Sequence, residues 1–368
     1  MDKITLPAAT GIYKVGTCTF SMVDENRFEQ LGTNPGTCKR KVFARLYYPV
    51  LPENTEGMPD AIVMSDAKLA ALSKMYHFPI KDRPESGCFL NARPAEGKFP
   101  LIIFSHGLGS YAESNNLMCK DLCSHGYNVL AIGHAYEAVL NEYDDGTSDP
   151  IEKNATTKVY SPYLPAVINL LKLMGDKKSD DRTLRDKMFA LEDKYCAFLI
   201  ARLDDRVKDV ALVTDEALKR FGDRIDLEHG IGIMGHSLGG ATAYYICQTD
   251  DRFTAGLNLD GLIINRSAGL GMHKPFYQVS CEDSVNTQTQ VALDTDAPIY
   301  WTVFRNMRHQ GFSDMKFFAP IAAVTGKMPP LTMHETLCKI QLSFFDRYIK
   351  GGTGEVWIPS GDSFIRRT

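Results

Sequence analysis

Residues 231–240 read Ile231-Gly232-Ile233-Met234-Gly235-His236-Ser237-Leu238-Gly239-Gly240. An apolar run leads into the pattern Gly-x-Ser-x-Gly, and small and apolar residues that suit a helix follow it. This order predicts a strand, a sharp turn at Ser237 and a helix, which together form the nucleophile elbow of the serine hydrolases. Gly235 and Gly239 let the strand and the helix approach closely, and the strained turn lifts the serine hydroxyl clear of the sheet.

The chain around this stretch alternates between strand and helix patterns. Apolar or alternating runs predict strands at 41–48, 100–105, 128–132, 231–234, 254–259, 275–280 and 298–304. Helical patterns occur at 67–75, 115–125, 238–248 and 333–349. Strands that alternate with helices imply a mostly parallel central sheet flanked by helices. We therefore predict an α/β-hydrolase fold that forms a single domain over 1–368, with insertions.

Three segments interrupt this rhythm. About the first 40 residues are turn-rich and are expected to wrap the domain edge, and 51–98 is polar and Pro-rich. A helical insertion is predicted at 136–230, with a short apolar helix at 165–174 and a longer helical region at 188–221. Because it precedes the elbow strand, it can lie over the sheet edge as a lid or pocket wall. A surface packing layer is the alternative, and position alone does not decide between them.

A serine nucleophile needs a base, and three histidines follow Ser237. His309 is the best candidate, because it lies in the loop after the strand at 298–304, at the edge where the elbow is expected. His273 precedes a strand and is expected at the opposite edge. His334 begins the terminal helix and is expected to be a surface or capping residue.

The acid that orients the base has two candidates. Asp260 ends the strand after the elbow, and Asp283 follows the next strand, where many members of this fold place their acid. A turn carboxylate that binds nearby backbone amides is the structural alternative for either residue. The residue pattern alone leaves the choice between Asp260 and Asp283 open.

Two backbone N–H groups are needed to stabilise an oxyanion. Leu238 follows the nucleophile directly and is expected to supply one of them. The second is expected from Leu108, in the motif Phe104-Ser105-His106-Gly107-Leu108-Gly109-Ser110, where a buried strand ends in His-Gly-x-Gly. His106 and His236 are expected to hold these loops by packing and hydrogen bonding.

Composition excludes several classes of function. The 368 residues are 44% hydrophobic and 23% charged, which is typical of a globular protein with a large core. The net charge is −4 and no basic stripe is present, so no nucleic-acid partner is expected. No run approaches the ~18 apolar residues of a membrane helix, and residues 1–7 lack an apolar signal core. We expect a cytoplasmic location and no transmembrane segment; the oligomeric state is not readable.

The nine cysteines predict reduced, mostly buried thiols. Cys119 and Cys123 are spaced by one helical turn, but no second pair lies nearby at ligand spacing. His125 alone does not complete a metal site. We therefore expect neither a metal nor a cofactor.

Four pieces of the chain resemble one family of proteins. They are Phe104-Ser105-His106-Gly107-Leu108-Gly109, Gly235-His236-Ser237-Leu238-Gly239-Gly240-Ala241-Thr242, Leu259-Asp260 and His309-Gln310-Gly311-Phe312-Ser313-Asp314. In pattern and order they are similar to the platelet-activating-factor acetylhydrolase family of α/β-hydrolases, from about 45 to 350, with 136–230 least alike. The resemblance implies Asp260 rather than Asp283 as the acid. It also implies calcium-independent hydrolysis of short or oxidised acyl esters, as on phospholipids.

Together these residues predict a metal-independent serine esterase. Ser237 would attack an ester carbonyl, His309 would accept and return its proton, and Asp260 would orient His309. The N–H groups of Leu108 and Leu238 would stabilise the oxyanion. The expected partner is a small-molecule ester or a lipid substrate. Cleavage of an amide, peptide or thioester by the same residues is the enzymatic alternative, and a non-catalytic binding protein on this fold is the remote one.

Overall fold

A central sheet organises this computed structural model, which describes residues 6–80, 83–159, 161–318 and 321–367. Within them the strands form one 11-stranded sheet and one two-stranded hairpin. The strands are β1 (Lys14–Phe28), β2 (Lys39–Val50), β3 (Phe89–Leu90), β4 (Phe99–Ser105), β5 (Asn128–Gly133), β6 (Leu140–Glu142), β7 (Ser148–Pro150), β8 (Ile225–Asp226), β9 (Ile231–His236), β10 (Phe253–Leu259), β11 (Phe276–Cys281), β12 (Ile299–Phe304) and β13 (Phe364–Arg367).

The helices pack on both faces of this sheet. They are α1 (Asp66–Tyr76), α2 (Asn116–Ser124), α3 (Ala155–Lys158), α4 (Tyr163–Met174), α5 (Asp181–Tyr195), α6 (Ala197–Phe221), α7 (Leu238–Thr249), α8 (Met315–Phe318), α9 (Ala322–Thr325) and α10 (Pro330–Tyr348). Residues of α2 and α10, such as Leu122 and Phe344, form a core on one face. Residues of α6 and α7, such as Val210 and Tyr244, form a second core on the other face. Burial of each such side chain stabilises the fold by roughly 1.5–3 kcal/mol.

The sheet order is β13-β12-β11-β10-β9-β4-β5-β2-β1-β3, with β8 beside β4. The run from β5 through β12 is parallel, whereas β2 is antiparallel to β5 and β13 is antiparallel to β12. Because the carboxyl ends of parallel strands meet at one edge, the loops after β4, β9, β10 and β12 come together there. The prediction of a mostly parallel sheet flanked by helices is confirmed.

The predicted strands and helices of the core are all present, with ends that differ by a few residues. The expectation of a turn-rich start was wrong, because β1 is a 15-residue strand. It pairs antiparallel with β2, from Lys14 opposite Val50 to Phe28 opposite Lys39. This strand is stabilised by its pairing with the next strand, whereas its own polar and glycine-containing pattern gives a weak local signal.

The insertion at 136–230 contains the β6–β7 hairpin, the helices α3 to α6 and β8. The helical region predicted at 188–221 is divided at Cys196 between α5 and α6. One face of α6 packs on the sheet through Val210 and Val213. Leu170 and Met174 of α4 instead line a cavity beside Ser237. The insertion thus contributes to the packing of the sheet and also to the wall of a cavity.

Two further observations concern the chain as a whole. In the part of the chain that the structure describes, no helix has both the length and the apolar character needed to cross a membrane. The cytoplasmic location stays a prediction. All nine cysteines are free thiols, and most of them are buried, as predicted.

Candidate active site

The turn between β9 and α7 places Ser237 in a strained backbone conformation, with φ 57° and ψ −124°. This turn requires the two flanking glycines, because a Cβ at Gly235 would lie 2.2 Å from the carbonyl oxygen of Gly239. A Cβ at Gly239 would lie 1.9 Å from the carbonyl oxygen of Ser105. Such contacts are far inside van der Waals distance, so the predicted elbow closes only with glycine at these positions.

His309 connects the serine to a carboxylate. It lies in a short 3₁₀ turn, His309–Phe312, that follows β12. Nε2 of His309 is 2.8 Å from the Ser237 Oγ. Nδ1 of the same ring is 2.8 Å from Oδ2 of Asp260. The structure therefore brings the three predicted residues into one hydrogen-bonded chain, with the geometry of a Ser-His-Asp triad.

Asp260 follows β10 with φ 58°, and its side chain is fully buried. Besides His309, its carboxylate accepts the Cys281 N–H at 2.8 Å and a very short hydrogen bond from the Ser284 hydroxyl. Burial alone would raise the pKa of Asp260, but His309, Ser284 and the Cys281 N–H together hold this pKa below its ordinary value. The carboxylate is thus kept ionised beside His309.

Asp283 occupies a different position from Asp260. Its carboxylate forms a close ion pair with Arg308, and its side chain is 42% exposed. Both residues of this pair line the mouth of the cavity. Of the two acid candidates, the structure brings Asp260 to His309 and leaves Asp283 at the rim.

The loop after β4 presents the peptide group that was expected to hold an oxyanion. Nδ1 of His106 lies 2.6 Å from the Gly107 carbonyl oxygen, and its Nε2 accepts the His134 N–H at 3.3 Å. The proton must therefore be on Nδ1, which donates to that carbonyl. Because the C=O and N–H of a trans peptide point in opposite directions, the Leu108 N–H is turned away from His106. Burial and the charge of Arg206 keep the pKa of His106 well below its ordinary value, so the ring is neutral.

Leu238 is the first residue of α7, so its N–H has no partner within the helix. Leu108 and Leu238 both line the cavity that contains Ser237. A cavity flanked by two such peptide groups can accept the oxygen of a tetrahedral intermediate.

Several supporting residues hold the His309 loop. Nε2 of His236 lies 2.9 Å from the His309 carbonyl oxygen, and the two rings pack with centroids 4.8 Å apart. Burial, aided by His309, lowers the pKa of His236 to about 3, so this ring is neutral and donates to the carbonyl. The Asn115 side-chain amide donates to the Phe312 carbonyl at 2.7 Å. Asn115 was not identified from sequence, because only the tertiary fold brings it to this loop. Ser284, which donates to Asp260, was missed for the same reason.

The other two histidines lie away from the serine. His273 is an exposed residue that pairs with Asp296 at 2.7 Å. His334 is buried beside Cys338, so its predicted surface or capping position was wrong. The reason is that α10 begins earlier, at Pro330, and turns His334 towards the interior.

A cavity of about 590 Å³ opens onto Ser237. Its wall is largely apolar, with side chains from the oxyanion loop, the insertion, the elbow helix and the segment after His309: Leu108, Val159, Leu170, Met174, Leu199, Leu238, Leu262, Ala323 and Val324. Asp283, Arg308 and Gln310 supply polar groups. An apolar wall beside a polar reacting centre suits a substrate with an apolar acyl group.

Fold and site together define an α/β-hydrolase with a serine at its nucleophile elbow. A ferulic acid esterase from Streptomyces cinnamoneus has a similar fold, with a TM-score of 0.72, 24% sequence identity and coverage of 98% of both chains. At this identity the likeness establishes the fold.

The family model of platelet-activating factor acetylhydrolase, isoform II, matches residues 1–328, and the chain belongs to this family. Among its relatives, the platelet-activating factor acetylhydrolase of Bos taurus is 29% identical over 69% of this chain and 54% of its own length. The one of Cavia porcellus is 22% identical over 94% of this chain and 78% of its own. The predicted resemblance to this family is confirmed. The chain thus spans about half the length of the bovine relative.

Proposed function

We propose that this protein hydrolyses carboxylic esters through an acyl-enzyme formed on Ser237. The observation that carries the proposal is the hydrogen-bonded chain from Ser237 through His309 to the buried carboxylate of Asp260, with 2.8 Å at each step. A serine hydroxyl is a weak nucleophile near neutral pH, and a neighbouring imidazole with an oriented tautomer is what activates it.

In the first half-reaction, the Ser237 Oγ attacks the ester carbonyl while Nε2 of His309 accepts the hydroxyl proton. Asp260 accepts the Nδ1–H of His309 and stabilises the imidazolium that forms. The N–H groups of Leu108 and Leu238 donate to the oxyanion. His309 then returns the proton to the leaving alcohol, and the serine is left acylated.

In the second half-reaction, a water molecule takes the place of the alcohol. His309 accepts a proton from this water as it attacks the acyl carbonyl, and the same peptide groups stabilise the second oxyanion. Collapse of the intermediate releases the carboxylic acid and returns the proton to Ser237. The side chain of His309 is 41% exposed, which gives water access to the base.

The proposed substrate is an ester with an apolar acyl group, either a small ester or an acyl ester of a lipid. The apolar cavity wall supports this choice, and so does the family to which the chain belongs. Next to the cavity, α4 carries three exposed apolar side chains, Leu164, Ile168 and Leu171, that would favour contact with an amphiphilic substrate. We propose that this part of the insertion acts as a wall of the acyl site.

The proposal is tested with p-nitrophenyl acetate and a fluorophosphonate probe. We expect Ser237→Ala to abolish both turnover and labelling, and His309→Ala to remove most of the turnover. His273→Ala is the matched control, because this exposed histidine pairs with Asp296 far from the serine and should keep its activity. Undiminished turnover by Ser237→Ala, or an equal loss in the two histidine variants, would contradict the proposal.

A further inference from the structure

Arg206 is a buried arginine of the insertion that reaches the oxyanion loop. It lies on α6, and its side chain is fully buried. Nη1 donates a very short hydrogen bond to the carbonyl oxygen of His106, and Nε donates to Oε2 of Glu137 at 2.7 Å. Burial of a guanidinium costs free energy unless the group is paired and hydrogen-bonded, and here the loop and Glu137 supply the acceptors.

The loop 106–109 is held by hydrogen bonds on both sides of Leu108. The His106 carbonyl binds Arg206, and the Gly107 carbonyl binds Nδ1 of the His106 ring. The Gly109 N–H donates to the Glu137 carbonyl at 2.8 Å. Each bond fixes the plane of one peptide group, and the peptide between Gly107 and Leu108 carries the N–H that is proposed above as an oxyanion donor. Its direction therefore depends on two direct bonds to the Gly107 carbonyl, from the His106 ring and from the Ser110 N–H at 3.1 Å, and on the bond that Arg206 makes one residue earlier.

Arg206 is itself held in a rigid polar layer behind the loop. Its Nη1 also lies 3.4 Å from the Ser105 Oγ, which in turn contacts Nε2 of His134 at 2.9 Å. Nδ1 of His134 is 2.8 Å from a carboxylate oxygen of Asp209, another residue of α6. Two residues on one side of α6, Arg206 and Asp209, thus hold the end of β4 and the start of the oxyanion loop.

We propose that Arg206 is a positioning residue for the oxyanion hole, an inference that rests on the function proposed above. Its charged N–H binds the His106 carbonyl and fixes the plane of the following peptide. That plane sets the His106 ring against the Gly107 carbonyl and directs the Leu108 N–H towards the oxyanion. The insertion is therefore coupled to the reaction through one arginine, and not only through the cavity wall.

The test compares Arg206→Lys with Arg202→Lys. Arg202 is a close match, because it is buried and lies one turn earlier on α6. Like Arg206, it approaches the carboxylate of Glu137, with 3.9 Å between its Nη1 and Oε1 of Glu137. Its described partners are Glu137, Asp205 and the ring of Phe198, none of which belongs to the loop 106–109. Lysine keeps the charge in both variants but lacks the fork that lets arginine bind two acceptors at once.

We expect Arg206→Lys to lower kcat by about 10- to 100-fold, because a displaced oxyanion donor acts on the transition state. KM should change by less than about threefold, and affinity for a trifluoromethyl ketone, which forms a hemiketal oxyanion on Ser237, should fall with kcat. Arg202→Lys should keep kcat within about twofold. A merely structural arginine would lower the melting temperature without this split between kcat and KM.

Equal kcat values in folded Arg206→Lys and Arg202→Lys would overturn the inference. If Arg206→Lys does not fold, the double variant Arg206→Gln/Glu137→Gln replaces it, because it removes both charges of the buried pair. Arg40 and Arg202, which also approach Glu137, keep Asp209 and Asp205 as partners. In the double variant, the glutamine at position 206 is too short to reach both partners of the arginine, so the same loss of kcat is expected, and retained kcat would overturn the inference. Failure of the proposed function is recognised separately, since wild-type protein would then resist labelling by the fluorophosphonate.

Discussion

Replacing Asp260 by asparagine tests the triad with a change of one functional group. Oδ1 of Asp260 accepts the Cys281 N–H and the Ser284 hydroxyl, and Oδ2 faces Nδ1 of His309. In the variant, the amide oxygen must stay with these two donors, so the amide NH₂ turns towards His309. A donor that faces Nδ1 forces the imidazole proton onto Nε2, which then points at Ser237 and cannot accept the serine proton.

The expected loss follows from this change of tautomer. In other Ser-His-Asp enzymes the same substitution lowers kcat by roughly 10⁴, and the complete burial of Asp260 leaves no water to take over its role. A 10⁴-fold loss corresponds to about 5 kcal/mol of transition-state stabilisation. KM should change little, because the carboxylate lies behind His309 and does not bind the substrate.

The assay is steady-state hydrolysis of p-nitrophenyl acetate by Asp260→Asn and Asp283→Asn, with melting temperatures to show that both variants fold. Asp283 pairs with Arg308 at the cavity rim, so its variant should keep kcat within about threefold while KM shifts modestly. The assignment of Asp260 would be refuted if Asp283→Asn lost as much activity, or if Asp260→Asn retained kcat within tenfold of wild type.

Three further predictions follow from the same structure. Gly239→Ala should abolish fluorophosphonate labelling and lower the yield of folded protein, because the new Cβ would lie 1.9 Å from the Ser105 carbonyl oxygen. Gly222→Ala is the control, since its new Cβ meets open space, and it should change neither measurement. Leu170→Trp should reduce hydrolysis of long-chain p-nitrophenyl esters more than that of the acetate, since Leu170 lines the cavity; equal effects across chain lengths would contradict this. Burial raises the pKa of Asp314 to about 7, above its unfolded value near 3.9. Between these two values the folded state holds a proton that the unfolded state has released. The free energy of unfolding of the wild type therefore falls as the pH rises from about 4 to 7. In urea titrations, Asp314→Asn should therefore gain stability relative to wild type as the pH rises, by at most about 4 kcal/mol, and a pH-independent difference would contradict this.

The parts of the site that are local in sequence could be predicted from it. The elbow at Ser237 depends on a glycine two residues away on each side, and His309 depends on a loop that directly follows an apolar strand. In both cases the pattern that reveals the residue lies within a few positions of it, although the contacts that it makes in the fold are distant in sequence. The same holds for the core strands and helices, whose hydrophobic periodicity reflects the faces that they bury.

The choice of acid could not be made this way. Asp260 and Asp283 both follow neighbouring parallel strands, β10 and β11, and therefore reach the same edge of the sheet. What separates them is the backbone: Asp260 has φ 58° and its N–H binds the Val279 carbonyl at 2.7 Å, which buries the carboxylate behind His309. No local pattern encodes that turn, and the family resemblance was needed to favour Asp260.

The polar layer behind the oxyanion loop was also beyond local patterns. Arg206 and Glu137 are 69 residues apart, and Arg40 and Asp209 are 169 apart, yet each pair is buried and hydrogen-bonded. In sequence, α6 reads as a helix with many charged residues, for which a solvated face is the ordinary interpretation. Burial of these charges depends on β2, β4 and α6 meeting at one place, which only the complete topology specifies.

The strain at Ser237 and at Asp260 is held by one structural unit. Each is a non-glycine residue with positive φ, a conformation that costs about 1–3 kcal/mol and persists only where the surroundings determine it. The Ser237 N–H binds the Leu259 carbonyl at 2.9 Å, directly before Asp260, and a Cβ at Gly261 would lie 2.2 Å from the Ser237 carbonyl oxygen. The two turns therefore fix each other across the β9–β10 pair, so nucleophile and acid cannot move independently. The Asp260 side chain is fully buried, whereas that of His309 is 41% exposed, and His309 is the residue that has to exchange protons with substrate and water.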